Sequence, residues 1–195
     1  MSKRRSIPLD TGWHFRRVSA PATDFKPTCG FPTEIFRDLL HHNLIDDPFS
    51  GKSEDNVQWV GEEDWIYQTS FQTPPCASDE KIVLAFAGLD TFASVFLNGR
   101  KIFESDNMFL PARVDLDDGL VASNATNTLE LIFKSAASKG RQIVRQHPDH
   151  VWAYSNGEES RLAVRKAQYH YVLHDQRGSS KANNETSRVG TGVPV

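Results

Sequence analysis

Two runs of β-prone residues, Phe92–Leu97 and Arg100–Phe103, are separated only by Asn98-Gly99. A two-residue turn that matches the right-handed twist of antiparallel strands needs positive φ at both central positions, and Asn and Gly adopt it cheaply. This segment therefore predicts a tight hairpin. The same period of two recurs along the chain. In Trp65–Thr73, Trp65, Tyr67, Thr69 and Phe71 share one face, with Gln68, Ser70 and Gln72 opposite. Phe109–Leu116 alternates Leu110, Ala112, Val114 and Leu116 against Arg113 and Asp115, and Leu129, Leu131 and Phe133 line one face of 127–134. Lys81–Ala87 is apolar on both faces; a short buried helix would also fit, but Gly88 and the flanking strands favour β. Short strands with regular turn signals predict an all-β sandwich or barrel.

One early segment breaks the period. Pro32–His41 places Ile35, Phe36, Leu39 and Leu40 on one helical face, which predicts a single short N-terminal helix packed on the sandwich. His41–Asn56 is polar with Pro48 and Gly51 and reads as a long loop. Residues 172–195 hold no aromatic and only six hydrophobic residues, so burial cannot offset their ordering entropy, and disorder is expected after about Leu173. The expected organisation is one domain over 1–171 and a disordered tail over 172–195.

Composition removes several function classes. Lys plus Arg is 22 and Asp plus Glu 25, a formal charge of −3, so no global field draws nucleic acid or anionic lipid. No apolar run approaches the ~18 residues of a membrane span, and no secretory signal opens the chain, so neither nucleic acid nor membrane is expected as a partner and a cytoplasmic location is. Asn124-Ala-Thr126 and Asn184-Glu-Thr186 match the glycosylation sequon and are then expected to be unused. Cys29 and Cys76 cannot build a disulfide framework or a four-thiolate zinc site. Adjacent His41-His42 and loosely spaced His147 and His150 do not make a metal site. No nucleophile elbow or phosphate loop is present, Cys76 after Pro74-Pro75 reads as a loop thiol, and no cofactor is implied.

Glycoside hydrolysis with retention needs two carboxyl groups about 5–5.5 Å apart. Neighbours such as Glu62, Glu63 and Asp64, Asp115, Asp117 and Asp118, or Glu158 and Glu159 rarely converge that way, so they read as solvated charges and no catalytic residue is assigned. Trp13 and Trp65 read as packing residues, whereas Trp59 and Trp152 remain open between packing and stacking on a sugar face.

Val57-Gln-Trp-Val-Gly-Glu-Glu-Asp-Trp65, Gly88-Leu-Asp-Thr-Phe-Ala-Ser-Val-Phe-Leu-Asn-Gly99, Glu104-Ser-Asp-Asn-Met-Phe-Leu-Pro111 and Arg165-Lys-Ala-Gln-Tyr-His170 occur in this order. Together they resemble the N-terminal domain of the β-mannosidases of glycoside hydrolase family 2, from about Ile7 to Tyr171. The resemblance implies a galactose-binding-like jelly-roll sandwich. In full-length family members it packs against immunoglobulin-like domains and a (β/α)₈ barrel. That barrel carries the acid/base and nucleophilic glutamates that remove terminal β-linked mannose, and the N-terminal domain walls the pocket.

After Tyr171 the family continues Gly-Trp-Asp-Trp-Gly-Pro, whereas this chain reads Val172-Leu-His-Asp-Gln-Arg-Gly178. The expectation is a truncated, inactive fragment of a β-mannosidase. The alternatives are a stand-alone lectin-like module and a scaffold that binds a full-length glycosidase. Gln168 and His170, just before the departure, are the candidate substrate-binding residues; alternating strand residues on a sheet face are the plainer reading of both. A mannose-containing oligosaccharide is the expected ligand. An unpaired edge near 168–171 and an exposed domain interface imply marginal stability and self-association.

Overall fold

The computed structural model describes residues 5–73, 75, 81–116, 120–121, 124–152, 159–167 and 191–194. In chain order the elements are β1 (Ser6–Pro8), β2 (His14–Arg17), β3 (Lys26–Pro27), α1 (Ile35–His41), α2 (Ser53–Asn56), α3 (Trp59–Glu62), β4 (Trp65–Gln72), β5 (Ile82–Phe86), β6 (Phe92–Leu97), β7 (Arg100–Ser105), β8 (Ala112–Leu116), β9 (Thr126–Lys134), α4 (Ala136–Gln146), α5 (Glu159–Leu162) and β10 (Thr191–Pro194). They form a six-stranded sheet in the order β3-β2-β4-β9-β6-β7 and a four-stranded sheet in the order β1-β10-β5-β8. The result is the β-sandwich that the alternating pattern predicts.

Leu84 and Phe86 from the smaller sheet meet Phe15, Tyr67, Val95, Leu97, Leu129 and Leu131 from the larger in one core. Leu84, Val95, Leu97 and Leu129 are wholly buried, and each such side chain stabilises by about 1.5–3 kcal/mol relative to exposure. Phe86 stacks on Phe103 across the two layers, with ring centres 6.4 Å apart. The predicted hairpin is β6–β7, with φ of 51° at Asn98 and 79° at Gly99. Asn98 does more than turn the chain. Its Oδ1 accepts from the Thr128 N–H at 2.9 Å, and its Nδ2 donates to Asn127 Oδ1 at 2.8 Å, tying the turn to β9.

Helix α1 forms as expected, with Glu34 capping its N-terminus by accepting from the Arg37 N–H. Its inward face differs from the expectation at one position: Asp38, not Leu40, turns inward beside Leu39, and Leu40 is 40% exposed. The wholly buried Asp38 carboxylate accepts from Thr33 Oγ1 at 2.8 Å, the Cys29 N–H at 2.9 Å and the Tyr67 hydroxyl at 3.0 Å. Without such donors its burial would be prohibitive. Charge-assisted bonds make the carboxylate the tie between α1, the 29–33 loop and the central sheet. Burial first, and the neighbouring Asp38 charge second, push the Tyr67 phenol well above its ordinary range.

Three further departures have physical causes. The chain has more than one helix, and among the described residues α4 is the longest, at 11 residues. Gly140 and scattered polar residues hide it from propensity and pattern. It is held instead by its cap, where Ser135 Oγ accepts from the Ser138 N–H, and by Gly140 lying directly against the Ser160 carbonyl of α5. Leu110 precedes β8 rather than joining it and is 61% exposed. Thr191–Pro194, within the stretch expected to be disordered, form β10, because β1 and β5 present backbone edges that an extended segment can satisfy. Cys76 and the rest of 172–195 lie outside the described residues.

Two outcomes follow from the Asp38 cluster. Asp38→Ala leaves two hydroxyls and an N–H without their acceptor and should cost about 2–4 kcal/mol in urea unfolding. The raised Tyr67 pKa means that its stabilising contribution is intact below the ordinary phenol value of about 10 and is lost as pH rises above it, because only the unfolded chain ionises there. Unfolding free energies measured from pH 9 to 11 should therefore fall less steeply for Tyr67→Phe than for the parent; parallel curves would refute this.

Candidate functional site

Three chain segments meet at the end of the sandwich away from the Asn98-Gly99 turn. They are the β5–β6 connection (88–91), the β7–β8 connection (106–111) and residues 165–167. Each is delivered there by strand direction, since β6 starts and β7 ends at this side.

The contacts are close and specific. Asn107 bridges Arg165, and the Met108 N–H donates to the Arg165 carbonyl at 3.1 Å. The Ala167 N–H points at Met108 Sδ, 2.9 Å away. A side chain at Gly88 would place its Cβ 2.7 Å from the Met108 carbonyl oxygen, so only glycine lets the two connections pack this tightly. Lys166 Nζ pairs with Asp90 Oδ2, and the Asp90 side chain is only 6% exposed. Arg165 Nη1 lies 3.5 Å from Asp106 Oδ2 at the surface. Asn107 Oδ1 accepts from the Phe109 N–H at 3.0 Å and shapes the turn that presents Phe109 and Leu110, 63% and 61% exposed. Beside them runs a shallow cleft of about 320 Å³, whose lining includes Phe103, Ser105, Asp106, Asn107, Leu110 and Arg113.

This rim combines exposed apolar surface with carboxylate, amide and guanidinium groups, the mixture that suits a ligand with both apolar faces and hydroxyls. Its two carboxylates are each paired with a cation, Asp90 with Lys166 and Asp106 with Arg165.

The sequence-based site residues Gln168 and His170, one and three positions beyond Ala167, lie outside the described residues. Trp59 is a packing residue: the Arg17 guanidinium sits 4.5 Å over its ring and Trp65 lies against it. Trp152 is half-buried and meets the His150 ring edge-on at 4.4 Å. His42 Nε2 lies 2.7 Å from the Pro27 carbonyl, a structural hydrogen bond. Among the described residues no three His, Cys, Asp or Glu side chains converge as a metal site. Sequence reasoning passed over Asp90, Asp106, Arg165 and Lys166, although all four lie inside the quoted motif blocks. Only folding shows that three of those four blocks meet.

The Lys166–Asp90 pair makes a stability prediction. Lys166→Ala leaves the buried Asp90 carboxylate without its cation and should cost about 2–4 kcal/mol, read by thermal or urea unfolding, while Lys166→Arg should restore most of it. Equal losses for both variants would show that the charge is not what matters.

Comparison with known proteins places the domain in a family. Residues 13–175 match the glycosyl hydrolase 2 galactose-binding domain-like model. Over 171 residues the chain is 53% identical to β-mannosidase B of Thermothelomyces thermophilus, covering 88% of this chain and 20% of that protein. It is 44% identical over 172 residues to β-mannosidase B of Aspergillus fumigatus, with the same coverage. The crystal structure of β-D-mannosidase from Dictyoglomus thermophilum superposes with a TM-score of 0.73 at 33% identity, over 85% of this chain and 20% of that one. The chain thus spans about a fifth of the length of the curated relatives it matches. Its galactose-binding-like sandwich belongs to the glycoside hydrolase family 2 domains found in β-mannosidases.

Proposed function

We propose that this domain serves β-mannosidase chemistry without performing it: it supplies a wall that contacts the terminal β-linked mannose of an oligosaccharide, while the acid/base and nucleophilic carboxylates come from the rest of a family-length protein. The observation that carries this reading is the convergence of 88–91, 106–111 and 165–167 on one rim. Membership of a galactose-binding-like family, with β-mannosidases as relatives, supports a sugar ligand. Asp90 and Asp106, paired with Lys166 and Arg165, put charged and hydrogen-bonding groups on the same rim. Gln168 and His170, one and three residues beyond Ala167 in the sequence, are the residues this reading assigns to sugar contact, and Ala167 itself is held against Met108. Phe109 and Leu110 form its apolar part, the surface through which the domain docks on the remainder of such a protein or, alone, on itself.

The reading is tested with two proteins. The isolated chain should release no p-nitrophenol from p-nitrophenyl β-D-mannoside. A chimaera in which it replaces the matched fifth of the Thermothelomyces β-mannosidase B should hydrolyse the same substrate. Gln168→Ala and His170→Ala in the chimaera should raise KM or lower kcat. Turnover by the isolated chain, or an inactive but folded chimaera, would defeat the proposal. Saturable heat from mannose or β-mannobiose on the isolated chain would favour a self-sufficient lectin instead.

A further inference from the structure

β1 and β5 belong to the same sheet but do not pair with each other. Each pairs with β10: Ser6, Ile7 and Pro8 lie opposite Pro194, Val193 and Gly192, while Phe86 and Ala85 lie opposite Thr191 and Gly192. With neighbouring strands about 4.7–4.9 Å apart, β1 and β5 stand roughly 9.5 Å from one another, the width of one inserted strand. Two features make this space more than an ordinary sheet position. First, β10 lies beyond residue 175, where the family match ends, so the strand seated there is not part of the matched domain. Second, both borders are open to backbone pairing: among the described residues β1 has no other sheet neighbour, and β5 pairs otherwise only with β8.

We propose that the space between β1 and β5 is a β-strand acceptor site for an extended peptide segment, which this chain fills intramolecularly with its own Thr191–Pro194. Recognition is by backbone N–H and C=O groups on two borders, so it selects an extended conformation and small or β-branched residues more than a particular sequence. Because the segment belongs to the same chain, its seating is intramolecular and needs only a weak free affinity. Occupancy also completes the layer. Without it the smaller sheet is a β5–β8 pair with a detached β1, and a two-stranded sheet is marginal by itself.

The test uses a chain ending at Gly190 and a fluorescein-labelled peptide of residues 187–195, followed by fluorescence anisotropy. The shortened chain should bind the peptide saturably, and the full chain at least about tenfold more weakly, because its site is already filled. The same peptide carrying Gly192→Pro, which removes an N–H from the paired segment, should not bind. Equal binding by both chains, or no binding by a folded shortened chain, overturns the proposal. So does a full chain whose sedimentation shows a dimer that dissociates on loss of residues 191–195, since the occupant is then the tail of a second copy. Should the shortened chain not fold, hydrogen exchange on the full chain carrying Gly192→Pro decides. Exchange at Ile7 and Ala85 should accelerate at least about tenfold while β4 and β9 keep their protection; unchanged protection of β1 and β5 overturns the proposal. None of these readouts depends on mannoside binding or hydrolysis.

Discussion

The antiparallel ladder of β4 on β9 governs the rest of the sandwich. Eight consecutive pairs, from Trp65↔Phe133 to Gln72↔Thr126, lock the register at the centre of the six-stranded sheet. A slip of one residue would turn Leu129 and Leu131 out of the core and Glu130 into it, so the register is specified by burial as well as by hydrogen bonding. β9 also carries β6 on its other border, with Val95 opposite Leu131 and Leu97 opposite Leu129. The three strands therefore hold the core and determine both ends of the fold. At one end Asn98 ties the hairpin turn to Asn127 and Thr128; at the other the connections of the candidate site are delivered side by side.

Polar groups do the work of attachment around this apolar centre. Asp38 draws α1 and the 29–33 loop onto Tyr67. Asp64 accepts from the Ser135 N–H at 2.8 Å and, with the Ser135 hydroxyl donating to the Gly61 carbonyl at 2.7 Å, joins α3 to the start of α4. Asp90 receives Lys166 and so fastens the 165–167 segment to the rim. Each is a buried or half-buried carboxylate or hydroxyl with matched donors and acceptors, which gives direction to packing that apolar contact alone would leave loose. The rim is thereby cross-tied by an ion pair and by the Ala167 N–H against Met108.

Much of this was legible beforehand, and the failures are instructive. Alternation located β4 and β9, whose Trp65, Tyr67, Thr69, Leu129 and Leu131 are buried, and the β-prone runs on either side of Asn98-Gly99 located β6 and β7. The Asn98-Gly99 pair located the turn because few residues tolerate positive φ twice. Leu110 was misplaced in β8 because an alternating pattern does not say where pairing stops. Leu40 was misplaced in the core because a helical stripe wide enough to hold four apolar residues also admits Asp38, whose burial makes sense only once its three donors are in place. α4 escaped notice because its stability comes from Ser135 and from Gly140 against α5, contacts between positions far apart in the chain.

For the site the division is sharper. Motif blocks identified the family. Local sequence carries that information because turn chemistry, alternation and charge are properties of adjacent residues. That Gly88, Asp90, Asp106, Met108, Arg165 and Lys166 form one rim was decided only by the tertiary structure. So was the seating of Thr191–Pro194 between β1 and β5. Both depend on which strand edges and loop ends are brought together by the register of the sheets, a long-range outcome that no local pattern encodes.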